Sequence, residues 1–197
     1  MHRLLQPADY ARMPWKNGGG QTTEIAVHPA GATLSDFDWR LSIADISADG
    51  PFSGFPGVDR TLVLLSGAGM RLTGTTHTAE LRAPYEPYSF SGDDATACAL
   101  VDGPVRDLNL MLRRGRVRGR IVVVREEAAR IEPARWRACV AAAGAVECLV
   151  PGHPPLALAQ DQTVVIDDGD EPASGAIAVN PVSADAVALV AVIELAA

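Results

Sequence analysis

Apolar positions along this chain come in short runs, many alternating one-for-one with polar positions, and Gly, Pro, Asp and Ser punctuate them. A period of two marks strands with one face packed, where a helix would repeat at three to four. The pattern predicts strands over residues 22–27, 39–46, 60–66, 70–73, 76–81, 95–100 and 106–112. A second series covers 121–124, 148–150, 163–166, 176–179 and 187–195. Turn signals such as HPAGA, SGAG, SGDD and VDGP separate them. Many short strands with frequent turn chemistry predict an all-β sandwich or barrel. Residues 126–143 depart from this: Ala and Arg dominate and allow a helix, although Pro133 opposes a continuous one and residues 140–144 also read as a strand.

Alternation also assigns faces. In 106–112, Leu108, Leu110 and Leu112 share one face, and Asp107, Asn109 and Met111 the other. In 39–46, Trp39, Leu41 and Ile43 oppose Arg40, Ser42 and Ala44. The apolar faces predict packed core; the polar ones face either solvent or a pocket, and a small barrel can leave one end open as a ligand cavity. The run RRGRVRGR at 113–120 divides the chain into an N-terminal unit, 1–114, and a C-terminal unit, 115–197, and reads as a solvated connector rather than a nucleic-acid patch.

At 197 residues, the chain can bury a core without disulfide or metal staples. The formal charge is -7, and all of it falls in residues 121–197, which hold 4 cationic and 11 acidic residues; residues 1–120 hold 13 of each. Such acidity argues against nucleic-acid or membrane-surface binding. The longest late apolar run, residues 186–193, is far below the roughly 20 residues of a membrane helix. Three widely spaced cysteines, Cys98, Cys139 and Cys148, read as buried thiols, which together with the lack of a signal-like N-terminus predicts a cytoplasmic protein. Arginine supplies 16 of the 17 cations; the single lysine is Lys16.

That lysine lies in the most unusual segment, PWKNGGGQTTE at 14–24. Three glycines with flanking Lys and Asn expose donors that could hold an anion, yet neither a P-loop nor a dinucleotide-binding turn is present. A second segment, DGPFSGFPGVDR at 49–60, sets Phe52 and Phe55 between turn residues and ends on Arg60, whose planar fork suits a carboxylate; an Asp59–Arg60 ion pair is the structural alternative. The four histidines form no HxH or HxxxH pair, and no GxSxG occurs. No catalytic residue is assigned, and neither metal nor cofactor is expected.

PWKNGGGQTTEIAVHPAGA, FDWRLSIADISADGPFSGFPGVDRTLVLLSGAGMRL and YSFSGDDATACALVDGPVRDLNLMLRRG together resemble the HutD/Ves family over residues 10–115. The resemblance implies two cupin-like, jelly-roll β-barrels in series, a bicupin, and an association with histidine utilisation. The usual cupin metal motif of two His, a Glu and a later His is missing. The matching positions are Trp15, Lys16, Asn17, Glu24, Trp39, Arg40, Phe52, Phe55, Arg60, Asp107 and Asn109. By charge logic, Lys16, Arg60 and Arg40 face ligand carboxylates, with Asn17 and Asn109 as neutral partners. Trp15, Phe52 and Phe55 wall the pocket, while Glu24 and Asp107 hold the cations in place. The expected ligand is a small carboxylate-bearing metabolite, an acidic intermediate of the N-formylglutamate or urocanate type. This reading leans away from an enzyme. The alternatives are a metal-independent isomerase or hydrolase with Glu24 or Asp107 as general base, and a regulatory protein-interaction module. A homodimer is compatible with the sequence.

Overall fold

The computed structural model describes residues 1–15, 18–169 and 175–196. In chain order its strands are β1 His2–Leu5, β2 Ala11–Pro14, β3 Gly20–His28, β4 Trp39–Ile46, β5 Gly50–Pro51, β6 Val58–Ser66, β7 Met70–Thr73, β8 Thr78–Leu81, β9 Pro87–Ser91 and β10 Ala97–Leu100. There follow β11 Val105–Arg113, β12 Val117–Arg125, β13 Ala129–Ile131, β14 Trp136–Ala143, β15 Val146–Leu149, β16 Leu156–Leu158, β17 Thr163–Asp167, β18 Ile177–Pro181 and β19 Val187–Leu195. No helix among the described residues is long and apolar enough to cross a membrane.

The chain divides into two compact units, Tyr10–Val117 and a second made of Met1–Asp9 with Arg118–Ala197. The predicted division at 114/115 therefore misplaces the N-terminus. Strand β1 pairs antiparallel with β17, from His2 opposite Ile166 to Leu5 opposite Thr163. A four-residue strand whose partner residues lie 158 to 164 positions away leaves no local sequence signal of that pairing.

In Tyr10–Val117 a six-stranded sheet, β2-β3-β4-β11-β6-β9, accompanies a four-stranded one, β5-β10-β7-β8. Ala44, Ile46, Leu62, Leu64, Met70, Leu72, Leu81, Phe90, Cys98 and Val105 form an apolar core drawn from both sheets. The central strands β4 and β11 are buried on both faces: Leu41, Ile43, Leu108 and Leu110 are as inaccessible as the core side chains.

The other unit repeats the plan with sheets β1-β17-β14-β19-β12 and β13-β18-β15-β16. Cys139, Cys148, Val164, Ile177, Val179, Ala188 and Val190 belong to its core. A buried ion pair, Arg137 Nη2 to Asp168 at 2.6 Å, joins β14 to the residue after β17 in the same sheet. The 126–143 stretch is strand, β13 and β14, with no helix. Its alanines suit β14 because that strand lies between β17 and β19 and is buried almost throughout, so small side chains are packed from both faces. Tertiary pairing here overrides local propensity.

Four of the five arginines in the 113–120 run are engaged by contacts within the protein. Arg113 donates to the carbonyls of Phe37 (3.1 Å) and Ser35 (3.1 Å). Arg114 bridges Asp59 and Asp93, Arg116 reaches Asp38 at 2.7 Å, and Arg118 pairs with Glu194 at 3.0 Å.

Candidate functional site

Antiparallel register places one polar patch on the inner face of the six-stranded sheet. Met111 lies opposite Arg40 on β4 and opposite Arg60 on β6. One step along, Asn109 faces Ser42 and Leu62; one further, Asp107 faces Ala44 and Leu64. Each of these alternates with a residue of the opposite, apolar face. The two arginines thus stand on strands flanking β11, their backbones about 10 Å apart.

This patch floors a cavity of about 630 Å³ walled by Met13, Trp15, Thr22, Leu34, Phe52 and Phe55. Trp15 is fixed by its backbone N–H on the Gly20 carbonyl (2.9 Å) and by Nε1–H on Thr22 Oγ1 (2.8 Å). The turn depends on Gly20, where a Cβ would come within 2.4 Å of the Asp45 carbonyl oxygen. Phe52 and Phe55 are held through their backbone N–H groups by the carbonyls of Thr96 and Gly92, both at 2.8 Å. Trp15 and Phe52 meet edge to face, with centroids 6.5 Å apart.

Arg40 and Arg60 have different environments. Arg40 donates Nε–H to Glu24 Oε2 at 2.6 Å and reaches Ser42 Oγ at 3.3 Å, so its charge is largely answered within the protein. Arg60 is 6% exposed, and its guanidinium carbon lies 5.2, 5.7 and 5.0 Å from the ring centroids of Phe52, Phe55 and Phe90. Its Nε is buried with no hydrogen-bond partner. Burial lowers its pKa to about 10, a fall that Arg40 adds to and Asp107 opposes. Cation–π contact stabilises a guanidinium but leaves its in-plane N–H donors unused.

Asp107 is 1% exposed and neither carboxyl oxygen has a hydrogen-bond partner. Burial pushes it up to about 7, helped by Asp45 and opposed by Arg60. Asn109 Oδ1 is a third buried acceptor without a donor. The cavity therefore holds unused donors and unused acceptors together, an arrangement suited to a polar ligand.

Seven of the expected residues, Trp15, Arg40, Phe52, Phe55, Arg60, Asp107 and Asn109, line this one cavity. Glu24 stands behind Arg40 as its ion-pair partner. Lys16 and Asn17 lie outside the described residues. Asp107 does not clamp an arginine, since it forms no hydrogen bond with either. Nor does Asp59 pair with Arg60: it points to the other face and meets Arg114 at 2.8 Å. Ser42, Met111 and Phe90 were not among the expected site residues. The first two are legible from alternation on β4 and β11. Phe90 reaches Arg60 by cross-strand pairing of β6 with β9, which no local pattern signals.

With two guanidinium groups and no imidazole, the floor does not fit a divalent cation. Among the described residues, no three His, Cys, Asp or Glu side chains gather as a metal site.

Fold and site together define a bicupin, an all-β protein of two cupin-like barrel units, with an arginine-bearing cavity in one of them. An oxalate decarboxylase from Lactobacillus farciminis shares the fold at a TM-score of 0.68 and 8% identity, over 97% of this chain and 85% of that one. The chain belongs to the HutD family, which matches residues 7–183. HutD from Pseudomonas fluorescens SBW25, its structure described as a formate condition, is similar at 33% identity and a TM-score of 0.83, with 100% of each chain covered. An uncharacterized 21.2 kDa protein in the hutC 3' region of Pseudomonas putida is 44% identical over 119 residues, 60% of this chain and 62% of that protein. The match thus spans about six tenths of that relative's length.

Proposed function

We propose that this protein binds a small carboxylate-bearing metabolite in the Tyr10–Val117 cavity, in the service of histidine utilisation. The observation that carries the reading is Arg60. It is a buried cation gripped by three aromatic rings, with no carboxylate partner and with donors turned to a 630 Å³ cavity. A buried charge is costly unless it is paired, and an incoming carboxylate completes the pair with two parallel hydrogen bonds. The aromatic walls exclude water and strengthen that contact.

Supporting the metabolite class are the family's Hut name, the hutC-region position of the Pseudomonas putida relative and the formate condition of the Pseudomonas fluorescens structure. N-formylglutamate, urocanate, glutamate and formate are the compounds to test by titration calorimetry. At least one should bind saturably. Arg60→Met should then weaken it by about tenfold to a hundredfold, the value of charge-assisted hydrogen bonds lost. Folded protein that binds none of the four removes the reading.

A further inference from the structure

We infer that anion binding in this cavity is coupled to proton uptake: when a ligand carboxylate sits on Arg60, Asp107 carries a proton and donates its O–H to the ligand. The inference rests on the binding reading above and specifies how that site is regulated.

Asp107 lies on the cavity floor, 1% exposed, with both oxygens lacking any donor. Arg60 shares the cavity, yet its guanidinium rests against Phe52, Phe55 and Phe90 rather than on this carboxylate. An ionised carboxylate without hydrogen bonds in an apolar surround is strongly disfavoured, so the neutral acid is the form this floor holds most readily. Its ordinary value near 3.8 is already raised to about 7. A second carboxylate arriving beside it adds a like charge, and two such groups in one desolvated site share a proton rather than both ionising. The proton comes from solvent and remains on Asp107; the ligand keeps its charge and places it against Arg60.

Of the surrounding groups, Arg60 alone opposes protonation of Asp107. From β6, Arg60 favours the ionised acid, and the ligand's charge offsets that influence. From β4, Arg40 is engaged by Glu24 of β3, and Asp45 favours the neutral acid. From β10, Cys98 lies in the apolar core as a thiol held neutral by burial, its pKa pushed up to about 12. Asn109, the neighbour on the same face of β11, is uncharged. Behind the Arg60 cage, His77 packs on Phe90, centroids 5.2 Å apart, with Nδ1 2.9 Å from Asp94, and the Tyr88 ring stacks on Phe90 at 6.1 Å.

Calorimetry of the full chain tests the inference, with formate and N-formyl-L-glutamate as probes because neither titrates between pH 6 and pH 8. Wild-type binding heats should differ between PIPES and Tris at one pH, reporting uptake of a fraction of a proton that grows from pH 6 to pH 8. The apparent Kd should weaken about tenfold over that range, as the competent protonated fraction falls. Asp107→Asn should bind without proton uptake and with affinity independent of pH, which also separates Asp107 from His77. Saturable wild-type binding with identical heats in both buffers overturns the inference and leaves the binding reading standing. So does an Asp107→Asn protein that keeps the uptake. If that variant fails to fold, the wild-type buffer comparison decides alone. Failure of both probes to bind at any pH overturns the binding reading and the inference with it.

Discussion

Arg60 and Asp107 are both buried, and burial acts on them with opposite consequences. The arginine loses little of its charge, because even at about 10 its pKa lies well above neutrality. The aspartate changes state within the physiological range. In the unfolded chain its pKa is near 3.8 and in the folded protein about 7, so the folded state binds more protons between those values. Stability contributed by this group is therefore full below about pH 4 and is lost as pH rises towards 7, with a loss on the order of 4 kcal/mol by pH 8. Asp107→Asn cannot ionise and escapes that loss. Its denaturation midpoint relative to wild type should improve progressively from pH 5 to pH 8; a gap that narrows over the range contradicts the buried, unpartnered placement. Alternation in the sequence revealed the polar face bearing Asp107 and Asn109. It could not reveal that no donor meets the carboxylate, because that depends on which strands lie alongside β11.

At the scale of elements, the site depends on two kinds of part. Strands β4, β6 and β11 set the floor, and their register fixes which polar side chains share a row. The segments around Trp15 and Phe52–Phe55 set the walls. The first of these turns on Gly20, whose hydrogen atoms are all the space beside the Asp45 carbonyl allows. Gly20→Ala should lower stability by about 1–3 kcal/mol through forced backbone displacement, and it should weaken ligand binding by shifting Trp15. Unchanged unfolding and binding curves would show that the turn adapts. Seven of the ten strands in this unit were legible from their apolar runs and alternation, but β2, β5 and β9, short or at sheet edges, were not. The 126–143 stretch was not, because its alanines lack the large apolar residues that mark a strand, and its pairing with β17 and β19 settles its form.

At the scale of the molecule, the two units are not consecutive in sequence. Residues 1–9 join the C-terminal unit, with β1 completing the edge of its five-stranded sheet and the Met1 amino group donating to the Asp167 carbonyl at 2.6 Å. Deleting residues 1–6 should remove hydrogen-exchange protection from the β17 amides that face β1 and destabilise the protein by about 1–3 kcal/mol. Protection unchanged in β17 would contradict the pairing. The two-unit plan was visible in the change of charge and in the arginine run, but strand exchange across the chain was not, since it depends on contacts between residues more than 150 apart.

Binding as proposed requires that a ligand carboxylate complete Arg60. A crystal structure of the protein with N-formyl-L-glutamate tests it most directly. A carboxylate should occupy the Tyr10–Val117 cavity, both oxygens within hydrogen-bonding distance of the Arg60 guanidinium and one beside Asp107. A ligand bound elsewhere, or one in the cavity whose carboxylate turns away from Arg60, would contradict it.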